Sequence, residues 1–423
     1  MNIRSFSLVL NGILLFVLVT LGASFATEAV FPIACYKGEE LQQLKEWEKQ
    51  WAGKKIDHSN IDGVKEYMPE SYYNVIKEPD KWGEFWFEIV PYRQIKPTKG
   101  VLEATLKYAG NCNVDDKKEL QNWVAGFPFP SPTTALEVAY NFDSLTKGDT
   151  RYIKNKAKTV DGKRNTERNV SFENWVMEFY GRCDVPPVPE VPHNNKGIRR
   201  GVHGTFHEPL ALKGNRSVSI KWIDPSREYA AWTFSAGTRR IMRRSTAYRY
   251  DHEGGSDISR EDQDVYNYQI SRNTYKLLGR KDILLGRHND HVAQFANHRE
   301  GYCFDSGEKR ERINTYVLEV VSKDPNYLYS KSVWYIDPES WFILYADKYD
   351  LEGKLWKIQQ VPTSMIKIEN TGEYAPQLPY INMCDVQRRH STPGANLIHR
   401  AGVTGEFWDP SYYHPKALKK YGY

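Results

Sequence analysis

The runs after Glu84 constrain this chain most. Phe85, Phe87 and Ile89 alternate with Trp86 and Glu88. Beyond them, apolar runs of about four to ten β-branched and aromatic residues end at Gly, Pro, Asn or Asp, the pattern of strands with one buried face. The clearest case spans 327–361. Strand-like runs at 329–336 and 341–349 flank Asp337, Pro338, Glu339 and Ser340, where Asp in first place and Pro in second suit a type I turn. A second turn at 350–353 leads into 355–361, so three sequential antiparallel strands are expected. A similar hairpin is expected upstream, with 218–223 and 229–234 flanking Asp224, Pro225, Ser226 and Arg227. The two Ile-Asp-Pro turns are explained by shared turn chemistry without an internal repeat.

Helical signals are few. Leu41, Leu44, Trp47 and Trp51 place an apolar stripe on a helix over 39–51 ended by Gly53. Shorter helices are expected within 61–76, over 115–124 and over 132–142. Pro186, Pro187, Pro189 and Pro192 predict an extended surface connection. The fold class expected is therefore mainly β (α+β): a large, strongly curved antiparallel sheet, an unclosed barrel wrapped around a few helices. A sheet that curls in this way encloses a cavity.

The chain opens with Arg4 and an apolar run from Phe6 to Leu21, followed by small residues at Ser24 and Ala26. That is the profile of a secretory leader cleaved after Ala26. Removing 26 of 423 residues leaves 397. The expected organisation is a leader (1–26), a helical N-terminal arm (27–83) and a sheet domain (84–423), located in the periplasm. With 58 Lys and Arg against 53 Asp and Glu, the near-balanced charge gives no case for nucleic acid. The 28 Tyr, 17 Phe and 12 Trp suit both pleated sheet and a ligand groove. Cys35, Cys112, Cys183, Cys303 and Cys384 lie far apart without a Cys-x-x-Cys pair, so one or two disulfides are open and metal clusters are unsupported.

Arg239, Arg240, Arg243 and Arg244 are the most conspicuous charges. On a strand they emerge on both faces, so one pair points inward. That pair either clamps an anionic headgroup or meets the acids just downstream, among them Asp257 and Asp262. Phe127 and Phe129, displayed by Gly126, Pro128 and Pro130, either plug an open end of the curled sheet or staple a helix to the core. Together with Trp232 these are the candidate ligand-binding residues. His288, His291 and His298 lack partners spaced for a tetrahedral metal site and are read as surface histidines. The chain has no nucleophile elbow, phosphate-cradling loop or dinucleotide fingerprint. No catalytic residue, metal or cofactor is therefore expected.

Several of these stretches, taken in order, resemble a known family. They are 123–130, then 224–227 leading through Trp232 to Gly237, Thr238, Arg239 and Arg240; Gly255, Ser256 and Asp257; 329–337; and Tyr349, Asp350, Gly353, Lys354, Leu355 and Trp356. The order resembles an uncharacterised proteobacterial envelope family called outer membrane lipoprotein-sorting proteins. The resemblance implies an architecture similar to the lipoprotein carriers LolA and LolB. It also implies a neighbouring inner-membrane transporter of the resistance-nodulation-division type and an outer-membrane protein, and a lipid or other hydrophobic ligand. The reading that follows is a periplasmic carrier of a hydrophobic, anionic molecule. The alternatives are a structural adaptor resting on Trp47 and Trp51, or an enzyme acting on lipid or glycan.

Overall fold

The alternating runs become strands. The computed structural model describes residues 34–289, 303–304, 306–405 and 408–420, so the expected leader, Asp290, His291 and His298 lie outside the described residues. Helix α1 (Gly38–Trp51) is followed by β1 (Lys55–Ile56), α2 (Glu70–Lys77), α3 (Pro79–Trp82) and β2 (Phe87–Ile89). Next come α4 (Lys99–Tyr108), a small hairpin of β3 (Asn113–Val114) and β4 (Leu120–Gln121), and α5 (Ala135–Asp143). The long strands are β5 (Thr150–Val160), β6 (Thr166–Glu178), β7 (Ile198–Glu208), β8 (Arg216–Trp222) and β9 (Ala230–Ser235), closed by β10 (Arg240–Arg243). A loop over 244–272 leads to β11 (Asn273–Gly286), β12 (Glu308–Ser322) and the expected meander β13 (Lys331–Ile336), β14 (Ile343–Tyr349) and β15 (Leu355–Gln360). After a separate hairpin, β16 (Ser364–Lys367) with β17 (Tyr374–Gln377), the chain ends in β18 (Tyr380–Asp385), β19 (His390–Ala401) and α6 (Ala417–Lys420).

Fifteen strands form one curved sheet in the order β1-β2-β12-β13-β14-β15-β18-β19-β5-β6-β7-β8-β9-β10, with β11 on β12. Among the described residues no ladder joins the two ends, so the sheet is unclosed. All its pairs are antiparallel except β2 with β12. At the centre, β19 pairs with β5, Ser391 opposite Val160 and Ala401 opposite Arg151, which joins the C-terminal meander to the earlier run of strands.

Local chemistry explains where the elements differ from expectation. The helix expected over 115–124 is instead the β3–β4 hairpin. The Asp115 carboxylate accepts from the backbone N–H of Glu119 at 2.8 Å and from Gln121 at 3.0 Å, offering the chain a turn in place of a helix. Pro69 breaks the 61–76 segment into a short 3-10 turn, Ile61–Tyr67, and α2. Helix α5 begins at a capping box in which Thr134 and Glu137 satisfy each other's backbone N–H. The two Ile-Asp-Pro turns diverge. The first closes with Arg227 N–H on the Asp224 carbonyl at 3.2 Å, whereas the second runs one residue further, Trp341 N–H reaching the Asp337 carbonyl at 2.8 Å. There the Asp337 carboxylate accepts from the Glu339 N–H at 3.1 Å and from Ser340 Oγ at 2.6 Å, and lies 3.3 Å from the fully buried Arg287.

The main apolar cluster lies between β2, β11–β15 and the helices. Leu44, Val64, Tyr72, Val75 and Trp82 belong to the same cluster as Leu318, Trp334 and Tyr345, so the helical arm and the sheet share one core. Trp47 stacks with Trp51 and meets Tyr67 edge-on, so both tryptophans pack within the chain. A second cluster covers β6–β8 with the C-terminal Tyr412, Tyr413 and Leu418. The proline-rich connection leaves Pro186, Pro187 and Val188 exposed while Arg182 donates to the carbonyls of Val185 and Pro187 beneath. Among the described residues one disulfide forms, Cys303–Cys384, and Cys35, Cys112 and Cys183 remain thiols.

Candidate functional site

Strand alternation prepares two faces for the middle of the sheet. On β6, Trp175 turns toward Tyr412, while Val170, Phe172, Asn174 and Val176 line a cavity of about 160 Å³ on the other side. Strand β5 contributes Arg151, Ile153, Asn155 and Ala157 to the same cavity, and β19 contributes Thr392, Gly394 and Asn396. The opposite wall is the 244–272 loop, through Ser256, Ile258, Gln263, Asp264 and Asn267. A second cavity of about 110 Å³ shares Arg200, Val202, Gln263 and Asn267 with the first and runs under Tyr248 and Tyr268. It shares Lys221 and Tyr229 in turn with a wider opening of about 480 Å³ lined by Trp123, Tyr180 and Trp222. The three adjoin to make an elongated passage between the sheet and a covering loop.

The loop is fixed by buried polar contacts rather than by regular structure. Asp257 receives Thr392 Oγ1 at 2.7 Å and contacts His390 Nδ1 at 2.6 Å, while Lys357 Nζ donates to its carbonyl. Asp262 takes Lys348 Nζ at 2.7 Å, Ser259 Oγ at 2.7 Å and the Tyr329 hydroxyl at 3.0 Å. Burial alone raises a carboxyl group's pKa, but Lys348 and Lys357 outweigh it and hold Asp262 below its ordinary range. Between these anchors, Asp264 and the fully buried Val265 adopt positive φ, 53° and 77°. A β-branched residue in that region is strained, and the Lys348 bond to the Val265 carbonyl helps to hold it.

The strained turn aims Asp264 at a cluster of charges. Lys147 Nζ lies 2.5 Å from Asp264, and Arg200 Nε lies 2.5 Å from Glu178. Lys147 and Arg151, against the effect of burial, hold Asp264 down at about 2. Arg151 itself is 6% exposed, and its Nε has no hydrogen-bond partner. Burial, then the like charge of Arg200, pushes its pKa down.

Asp143 sits where the second cavity meets the wide opening, held by Arg199 and Lys221. Arg199 lies 4.3 Å over the Trp123 ring, and Arg227 lies 3.6 Å over Trp222.

The residues singled out from sequence stand elsewhere. The expected inward arginine pair is absent: β10 is an edge strand, with Arg239, Arg240 and Arg243 exposed and Arg244 half-buried over Tyr248 at 4.8 Å. Among the described residues none of the four forms an ion pair, and Asp257 and Asp262 are engaged by His390 and Lys348. Trp232 faces the C-terminal cluster, with Arg243 at 5.9 Å. Phe127 packs on Trp341 and its N–H donates to Thr105, while the Phe129 N–H donates to Asn141, so this segment staples α4 and α5 to the core. His288 contacts Glu311 at 2.7 Å. Cys35, Asp337 and Glu339 cluster as metal ligands can, but Arg287 already supplies their countercharge, and burial, then Asp337, raises the Cys35 pKa.

Sequence reasoning passed over Arg151. Its signal is legible in retrospect: Tyr152, Lys154, Lys156 and Lys158 occupy one face of β5, and Arg151 is the lone charge among Ile153, Asn155 and Ala157 on the other.

Known proteins match most of this chain. It is 24% identical over 341 residues to PA3922, an uncharacterised protein of Pseudomonas aeruginosa, covering 77% of this chain and 72% of that one. A crystallised domain from Vibrio parahaemolyticus with the outer membrane lipoprotein-sorting designation is 15% identical, at a TM-score of 0.48 over 67% of this chain and 98% of that one. A LolA superfamily protein from Nitrosomonas europaea is 14% identical, at a TM-score of 0.40 over 66% of this chain and all of the other (100%). The model of the family described as "Protein of unknown function (DUF1329)" matches residues 55–419, and the chain belongs to that family.

Proposed function

We propose that this protein is a periplasmic carrier that holds a hydrophobic, elongated molecule in the passage between the sheet and its covering loop. The observation that carries the reading is the passage itself: Ile153, Val170, Phe172, Val176, Val202 and Leu378 present apolar surface to a space that the chain's own side chains leave unfilled. Each methylene transferred there from water contributes about 0.8 kcal/mol. A ten-carbon chain thus gains about 8 kcal/mol, the main favourable contribution set against the cost of association. The resemblance noted from sequence supports a setting in the cell envelope, beside an inner-membrane transporter of the resistance-nodulation-division type and an outer-membrane protein. The arginine hairpin would form a basic rim at one side, since Ser245 and Thr246, just past Arg244, line the second cavity.

Native mass spectrometry of protein purified without detergent, combined with uptake of a fluorescent fatty acid, tests the reading. The wild type should carry or take up lipid, and Val202→Trp, which fills the junction of the two inner cavities, should lose it while remaining folded. A wild type that neither carries lipid nor takes up the probe would overturn it.

A further inference from the structure

The charges around the inner cavity do not balance. Arg151, Arg200 and Asp264 line it, and Lys147 and Glu178 stand behind as partners of Asp264 and Arg200. Lys147 occupies Asp264 and Arg200 occupies Glu178. Among the described residues no carboxylate lies within ion-pair distance of Arg151, and no protein group accepts from its Nε. Burying a guanidinium in this way is unfavourable unless something else meets it. Asp264 and Glu178 attract it from a distance, but each is already bonded to another cation, so Arg151 lacks the direct partner that both neighbouring cations have.

We propose that Arg151 is the receptor for the anionic end of the carried molecule, and that the cargo is an amphiphile with one apolar chain and a terminal carboxylate or similarly flat anion. The proposal rests on the carrier reading. Three observations fix the class. The guanidinium is a planar fork that matches a carboxylate through two parallel hydrogen bonds. It lines the same cavity as Ile153, Val176 and Leu378, so anion and chain are held together. Arg200, which lines the same cavity from β7, adds to the positive potential there, although Glu178 offsets part of it, and disfavours a cationic headgroup. The chain would then extend past Val202 toward the wide opening near Trp222.

The test compares dodecanoate with dodecan-1-ol, which share a chain and differ in charge, by displacement of a neutral fluorescent probe from the full-length protein. Wild type should bind dodecanoate about tenfold or more tightly over the alcohol, the gain expected of a bidentate charged pair. Arg151→Gln should bring the two within about twofold, through loss of dodecanoate affinity alone. Its melting temperature without ligand should change little, because the lost attraction to Asp264 and Glu178 is offset by removing a buried guanidinium without a direct partner. Arg151→Lys, which keeps the charge without the fork, should retain part of the preference. A preference that survives in Arg151→Gln, or a fall in the unliganded melting temperature with no change in selectivity, would overturn the proposal. Equal binding of both ligands by wild type would also overturn it while leaving the carrier reading intact. Binding of neither would remove both.

Discussion

Lys348 Nζ lies 2.7 Å from Asp262 Oδ1 and 3.0 Å from the Val265 carbonyl, so one ammonium on β14 holds both ends of the strained turn that covers the passage. Both side chains are almost fully buried. Replacing Lys348 by Met keeps the length and strands the Asp262 charge, which should lower stability by about 3–5 kcal/mol. Urea denaturation measures it. A loss below about 1 kcal/mol would mean that the other donors hold the turn without the lysine.

The His390–Asp257 pair makes the loop's second anchor sensitive to pH. Its hydrogen bond to Asp257 raises the His390 pKa to about 9. A histidine raised on folding contributes stability that is complete below its unfolded pKa, about 6.5, and is lost as pH rises through the folded value. Solvent near His390 and Glu167 weakens the effect, leaving about 1 kcal/mol. Between pH 6 and pH 10 the wild type should therefore lose about that much more stability than His390→Gln. Parallel pH profiles for the two proteins would refute the anchor.

The arginine hairpin should matter for encounter rather than for folding. Arg240 and Arg243 are exposed and touch no carboxylate among the described residues. Arg240→Gln with Arg243→Gln should change stability by less than about 0.5 kcal/mol. The same pair should slow association of an anionic amphiphile severalfold at low salt, with the difference vanishing at high salt. Stopped-flow uptake at two ionic strengths reads both effects, and a salt-independent rate difference would exclude electrostatic steering.

Cys303 and Cys384 close a loop of 81 residues, with β18 held by its cysteine. A bridge over that separation restrains the unfolded chain by about 4 kcal/mol. Cys303→Ala with Cys384→Ala should therefore lower stability by an amount of that order, and reducing agent should destabilise the wild type but not the double variant. Equal sensitivity of the two proteins to reductant would point to another thiol.

Strands joined by short turns were the most legible part of the sequence, because their apolar period and Asp-Pro turns are local. The β13–β15 meander and the β8–β9 hairpin were both readable, even though the turn at Asp337 runs one residue longer than expected. The passage was not. Its cover has no periodicity, and its anchors, Asp257 and Asp262, looked like partners for nearby arginines when their real partners are His390 and Lys348, remote in sequence. An alternating strand says which residues share a face without saying which face meets a cavity. The Arg239–Arg244 segment drew attention by charge density. Arg151 stood out only once β19 and the covering loop were set against β5.

That β19–β5 seam also governs the order in which the molecule can assemble. The strands β5 to β10 can pair one after another as the chain emerges, and so can β11 to β15, but the two sets meet only when His390–Ala401 finds Thr150–Val160. The β19 side of the passage is thus among the last parts to form. Such distant pairing makes for slow folding, with sheet edges exposed meanwhile. A chain stopped before His390 would carry two half-sheets and a cavity open on the side that Thr392, Gly394 and Asn396 close, however well each half had folded.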